Sequence, residues 1–225
     1  MKLDSSNNLA VLISHRLPDA TGSAEARRTW QLLTMLARRC RVDLFSLTQG
    51  PVHWETYRKA HHVAHRMWVQ PSSFIEQLRP VQKIAWTGPG RILIRRFTTM
   101  LQEQHWSQTA AVVVTTHPDL ALLGYIPPAH RRVCDLGQSA RLINAQKLKA
   151  TLDHSDYLIS TEPIQDQVTL REWWLKRVVY LPQPQQASAS TLLTTSQEVW
   201  EDRWWSALGF ELHRAEIQRH LAQAA

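Results

Sequence analysis

The 225-residue sequence has only two cysteines, Cys40 and Cys134, and seven glycines. Two cysteines make neither a disulfide framework nor a metal-ligand set, so both read as reduced, partly buried thiols. No apolar run approaches the length that spans a bilayer. The short run Leu9 to Ile13 leads straight into His15 and Arg16, which does not match a signal peptide, so a cytoplasmic protein is expected. There is no Walker-type P-loop, no full G-x-G-x-x-G fingerprint and no G-x-S-x-G nucleophile elbow. His61, His62 and His65 stand at helical spacing, but no cysteine or carboxylate completes a metal set nearby, and they read as a solvated basic face. Acidic residues are outnumbered 19 to 26, for a formal charge of +7. That excess favours anionic partners without choosing among phosphorylated sugars, nucleic acid and an acidic membrane face. With no recognisable base-reading module, nucleic acid is the least favoured.

Against these absences, 44% of the residues are hydrophobic, enough for one substantial core. Leu9-Ala10-Val11-Leu12-Ile13-Ser14 is a continuous apolar run of strand length, as expected of a buried parallel strand. Ala24 to Arg39 carries apolar residues at helical spacing with Ser23 as its N-cap, and Val42 to Leu47 follows as a second strand. Further strands are expected at Arg66–Val69, Ala110–Thr115, Arg132–Leu136, Tyr157–Ser160 and Arg177–Leu181, with helical patterns between them. This alternation predicts an α/β, Rossmann-like doubly wound, mainly parallel sheet over residues 1–182. Residues 183–195 have linker composition, and 196–225 read as a C-terminal helical extension. That end is rich in tryptophan (Trp173, Trp174, Trp200, Trp204, Trp205), mostly for packing on the sheet domain.

Three stretches resemble the N-terminal domain of glycosyltransferase family 4-like proteins with the two-domain GT-B fold. The first is Pro18 to Arg27 followed by Leu36-Ala37-Arg38-Arg39-Cys40-Arg41-Val42, similar to the family's glycine loop and "LARR-x-x-V" run into strand two. The second is Arg131 to Arg141, similar to "RRVVD-x-x-D-x-x-S". The third is Asp156 to Glu162 with Val178 to Pro182. The sequence departs from the family at 183–186, which read Gln-Pro-Gln-Gln where the family has Asn-Gly-Val-Asp, and it lacks a donor-binding second domain. The resemblance implies the acceptor-binding half of a sugar transferase in surface polysaccharide or glycoconjugate synthesis. It implies a sugar or lipid-linked sugar acceptor as partner, no cofactor, and hexosyl transfer only with a separate donor-binding chain. The basic, apolar stretch Arg91 to Phe97 would then make peripheral membrane contact at the inner face. The alternative reading is a non-catalytic binding or assembly module that keeps the fold.

Open parallel sheets bind ligands at the carboxyl ends of their strands, beside helix N-termini. The loop His15 to Ser23 stands there: Gly22 and Ser23 bring backbone close to a ligand, while Arg16, Arg27 and Arg28 add positive charge. The bland alternative is a glycine turn and a solvated first helical turn. His117, just after a strand, is a candidate base or hydrogen-bonding group, and equally a polar loop residue. Asp135 is a candidate proton acceptor and Ser139 a candidate ligand contact; capping of the next helix explains either one more simply.

Overall fold

The computed structural model describes residues 8–48, 52–71, 89–104, 108–123, 125–137, 143–161, 177–181 and 190–208. The strands are β1 (Leu9–Ser14), β2 (Arg41–Thr48), β3 (Arg66–Pro71), β4 (Ala110–Thr115), β5 (Ala129–Gly137), β6 (Tyr157–Ser160) and β7 (Val178–Tyr180). The helices are α1 (Ala24–Ala37), α2 (Trp54–Val63), α3 (Pro89–Glu103), α4 (Pro118–Ala121), α5 (Ala145–His154) and α6 (Ser190–Ala207). All seven strands form one sheet in the order β3-β2-β1-β4-β5-β6-β7, and every pair is parallel. The doubly wound α/β arrangement read from the sequence is therefore present.

The central strands β1, β2 and β4 bury both faces, so the two-residue side-chain period sorts one apolar run into two cores. Ala10 and Leu12 of β1 pack with Leu32, Leu33 and Leu36 of α1 and Ala60 of α2. Leu9, Val11 and Ile13 pack on the other face with Phe97 and Leu101 of α3. Phe97 is buried in the core, while Arg95 and Arg96 are exposed. Among the described residues no helix is long and apolar enough to cross a membrane.

The last helix, α6, starts at Ser190, inside the stretch read as linker, and belongs to the first core. Trp200, Trp204 and Trp205 are buried there against α1. Arg38 donates two hydrogen bonds to the Glu201 carboxylate, at 2.8 and 2.9 Å, and Arg39 one to Asp202 at 3.2 Å. The arginine pair at the end of α1 therefore fastens α6, and its resemblance to a "LARR" motif reflects a helix end rather than a ligand site. Cys40 and Cys134 are unpaired and buried, and burial pushes both thiols up to about 12.

The chain order decides where a crevice opens. From β1 the chain winds outward through β2 to β3, then returns to place β4 on the other side of β1. The loops after β1 and β4 leave in opposite directions, which opens the crevice characteristic of a topological switch point.

Candidate functional site

A narrow cleft of about 20 Å³ lies at this switch point, lined by the residues that follow β1, β4 and β6, by the end of β5 and by the first turns of α1. His15 and Thr116 are the first residues beyond β1 and β4. Thr116 is held as a continuation of the sheet: its N–H donates to the Ile13 carbonyl at 3.0 Å, and the His15 N–H donates to Thr116 Oγ1 at 3.2 Å. His15 Nδ1 lies 2.9 Å from the same Oγ1, and His15 Nε2 lies 3.4 Å from Glu25 Oε2. Glu25, in the first turn of α1, also accepts a hydrogen bond from Arg16 Nε. The hydrogen bond and charge of His15, reinforced by Arg16, hold the Glu25 carboxyl down at about 2, so it is a carboxylate at any physiological pH.

The far wall is built by Arg28 and Asp135. Arg28 faces inward because it precedes Leu32 by four and Met35 by seven, the spacing of one helical stripe, and it is 6% exposed. Its Nη2 donates to Asp135 Oδ2 at 2.8 Å, and its guanidinium carbon lies 4.4 Å above the Trp200 ring. Arg28 Nε and Nη1 are buried with no hydrogen-bond partner among the described residues. Asp135 is aimed by an irregularity of the β5–β6 register between Asp135 and Gly137. Gly137 takes a φ of +49°, a conformation that disfavours any side chain, and its N–H donates to Asp135 Oδ1 at 3.0 Å.

His117 is buried beside this cleft, its ring 5.1 Å from that of His15. It caps α4: Nδ1 accepts from the Asp119 N–H at 3.2 Å. Burial, with the nearby charges of His15 and Lys147, lowers its pKa to about 3, so the ring is neutral and serves as an acceptor.

The candidates read from the sequence therefore separate. Asp135 lines the cleft, but as the partner of Arg28 rather than as a helix cap or a free base. His117 stands behind His15 as a capping group. Arg16, Gly22 and Ser23 line a neighbouring, more open and larger depression of about 240 Å³ with Thr48, His53 and Thr56. Ser23 Oγ caps α1 by accepting from the Ala26 N–H at 3.3 Å. Gly22 is tight against α1, since a Cβ there would come within 3.1 Å of the Ala26 and Asp19 Cβ atoms. Arg27 turns back to donate to the Gly22 carbonyl at 2.6 Å and closes its own loop. Ser139, Trp173 and Trp174 lie outside the described residues. His61 is exposed and stacks on Tyr57, centroids 6.0 Å apart. The sequence reading gave no role to His15, Glu25 or Thr116, and treated Arg28 only as loop charge. The signal for Arg28 was its place on the apolar stripe of α1, and for Thr116 its adjacency to His117 at a strand end.

No family model matches the chain, and no curated protein sequence matches it. Among solved structures it is similar to a nucleoside kinase of Methanocaldococcus jannaschii, described as an archaeal member of the ribokinase family. The identity is 11% and the TM-score 0.39, over 76% of this chain and 68% of that one. These findings correct the resemblance to glycosyltransferase family 4-like proteins. No glycosyltransferase family model answers to the quoted stretches. The assignment to GT-B sugar transfer and polysaccharide synthesis goes with it. The physical reason is visible in the stretches themselves: Arg38 and Arg39 fasten α6, Arg27 closes a turn, and Val133 to Leu136 is a buried strand. Any doubly wound sheet produces such patterns. At this identity and TM-score, the kinase likeness carries nothing about activity.

Proposed function

We propose that this chain binds a small anionic molecule, a phosphate ester or a carboxylate, in the cleft at the carboxyl edge of β1, β4 and β5. The observation that carries this reading is Arg28. A guanidinium that is 6% exposed, lines a cleft and leaves two N–H groups without partners is an unmet demand for acceptors, and buried donors left unsatisfied cost about 1–3 kcal/mol each. A carboxylate or phosphate oxygen supplies a charge-assisted acceptor for such a donor, which suits a guanidinium that is always protonated. The first turn of α1 adds the positive end of a 14-residue helix dipole at the same cleft. Glu25 does not oppose this, because Arg16 pairs with it. The buried, unpaired thiols support residence in a reducing compartment, the cytoplasm.

A thermal-shift screen with inorganic phosphate, small carboxylates and sugar phosphates tests the reading, because a ligand that prefers the folded chain raises its melting temperature. Stabilisation by at least one anion, absent in the double variant Arg28→Met/Asp135→Asn, is expected. No shift with any anion in folded protein contradicts it. The double variant is chosen because it removes both buried charges together.

A further inference from the structure

We propose that Thr116 is a nucleophile activated by His15, with Glu25 as the positioning residue, and that the cleft transfers an acyl group from a small ester carrying a second, anionic end. The proposal rests on the anion-binding reading, since Arg28 would hold that end.

The geometry sets each role. The His15 N–H occupies one lone pair of Thr116 Oγ1 at 3.2 Å, and His15 Nδ1 lies 2.9 Å away in position to accept the hydroxyl proton. Oγ1 therefore keeps one lone pair for attack. The ring has to present Nδ1 as an acceptor, which requires the proton on Nε2; Nε2 lies 3.4 Å from Glu25 Oε2, a charge contact that falls short of a hydrogen bond. Because Glu25 is ionised, it selects that tautomer and steadies the imidazolium that forms, the role a carboxylate plays behind a histidine base. Thr116 is β-branched and tied to β1 through its own N–H, so its hydroxyl has little freedom to turn away. His15 is 4% and Thr116 6% exposed, and both line the cleft that Arg28 and the α1 N-terminus share.

The reaction proceeds in two halves. Thr116 Oγ1 bonds to the ester carbonyl carbon while its proton passes to His15 Nδ1. The tetrahedral adduct then expels the alkoxide or phenoxide, which takes the proton from His15 if it needs one, leaving acyl-Thr116. Water next attacks the acyl carbonyl with His15 as base, releasing the carboxylic acid and restoring the threonine hydroxyl.

The test uses mono-4-nitrophenyl succinate, an ester with a free carboxylate, and the full chain. Nitrophenolate release and the mass of one succinyl group on the peptide containing Thr116 are expected. Thr116→Ala and His15→Gln should each lower the rate about 100-fold or more, the scale of a lost base or nucleophile, while Thr116→Ser keeps both rate and adduct and shows that the fold tolerates the position. An unchanged rate in Thr116→Ala overturns the proposal. So does the absence of turnover and adduct in a protein that still binds inorganic phosphate by calorimetry, and in that case the anion-binding reading survives. Absence of both phosphate binding and turnover removes the two together.

Discussion

Replacing Arg28 with methionine keeps most of the side-chain volume of α1's inner face and removes one charge of a buried pair. Arg28 and Asp135 have side chains 7% and 1% exposed and are joined at 2.8 Å. In the variant, the Asp135 carboxylate keeps the Gly137 N–H at 3.0 Å but loses its countercharge. Leaving one member of a buried pair uncompensated costs about 3–5 kcal/mol. The contact of the guanidinium with Trp200 at 4.4 Å adds about 0.5–2 kcal/mol to the loss. For a domain of this size each kcal/mol moves the melting temperature by about 2–4 °C, so a fall of about 7–28 °C is expected. Adding Asp135→Asn removes the stranded charge while its amide oxygen still accepts from Gly137, so the double variant should recover about 2 kcal/mol or more of the loss. Urea denaturation of the four members of the cycle measures this. A single Arg28→Met cost below about 1 kcal/mol, or a double variant as unstable as the two singles summed, refutes the buried-pair account.

Other expectations follow from the same geometry. His117 is lowered from 6.5 to about 3 in the folded chain, so below pH 6.5 the unfolded chain takes up a proton that the folded one does not. Stability should therefore fall as pH drops from about 6.5 towards 3, with a slope approaching about 1.4 kcal/mol per pH unit from this group. His117→Asn, which keeps a capping acceptor, should flatten that slope in urea midpoints taken at pH 7 and pH 5; an unaltered slope counts against the neutral buried ring. Glu25 acts in a lower window: its folded value of about 2 against 4.5 gives stability present above pH 4.5 and lost as pH falls towards 2. Acid titration of Glu25→Gln should show a smaller loss there. Trp204→Ala removes a fully buried ring that fixes α6 and should cost about 3–5 kcal/mol. Trp54→Ala, at a position 70% exposed, should stay within about 0.5 kcal/mol. Equal effects of the two on urea midpoints would overturn the packing assigned to α6.

The fold was legible because the buried strands are short, continuous and apolar: Leu9–Ser14 and Ala110–Thr115 could hardly be read otherwise. The place of the cleft was legible too, since the rule that a crevice opens at the carboxyl ends of parallel strands needs only the strand ends. Which side chains converge was not. Arg28 and Asp135 are 107 positions apart, and His15 and Thr116 are 101 apart. Only the return of the chain to lay β4 beside β1 brings them together. At Arg27 and Arg28 the sequence offers two arginines, and one residue of helical rotation sends the first to the Gly22 carbonyl and the second into the cleft. The position of Arg28 on the Leu32–Met35 stripe was available from the helical period. The bulge that aims Asp135 was not, because nothing local marks Gly137 as a positive-φ residue rather than an ordinary turn.

The central claim is that the Arg28 cleft takes a small anion. Isothermal titration calorimetry with inorganic phosphate, on the natural chain and on Arg28→Met/Asp135→Asn, tests it most directly. Saturable one-to-one binding to the natural chain that disappears in the folded double variant is the predicted result. Equal binding by both proteins, or none by the natural chain, contradicts the account.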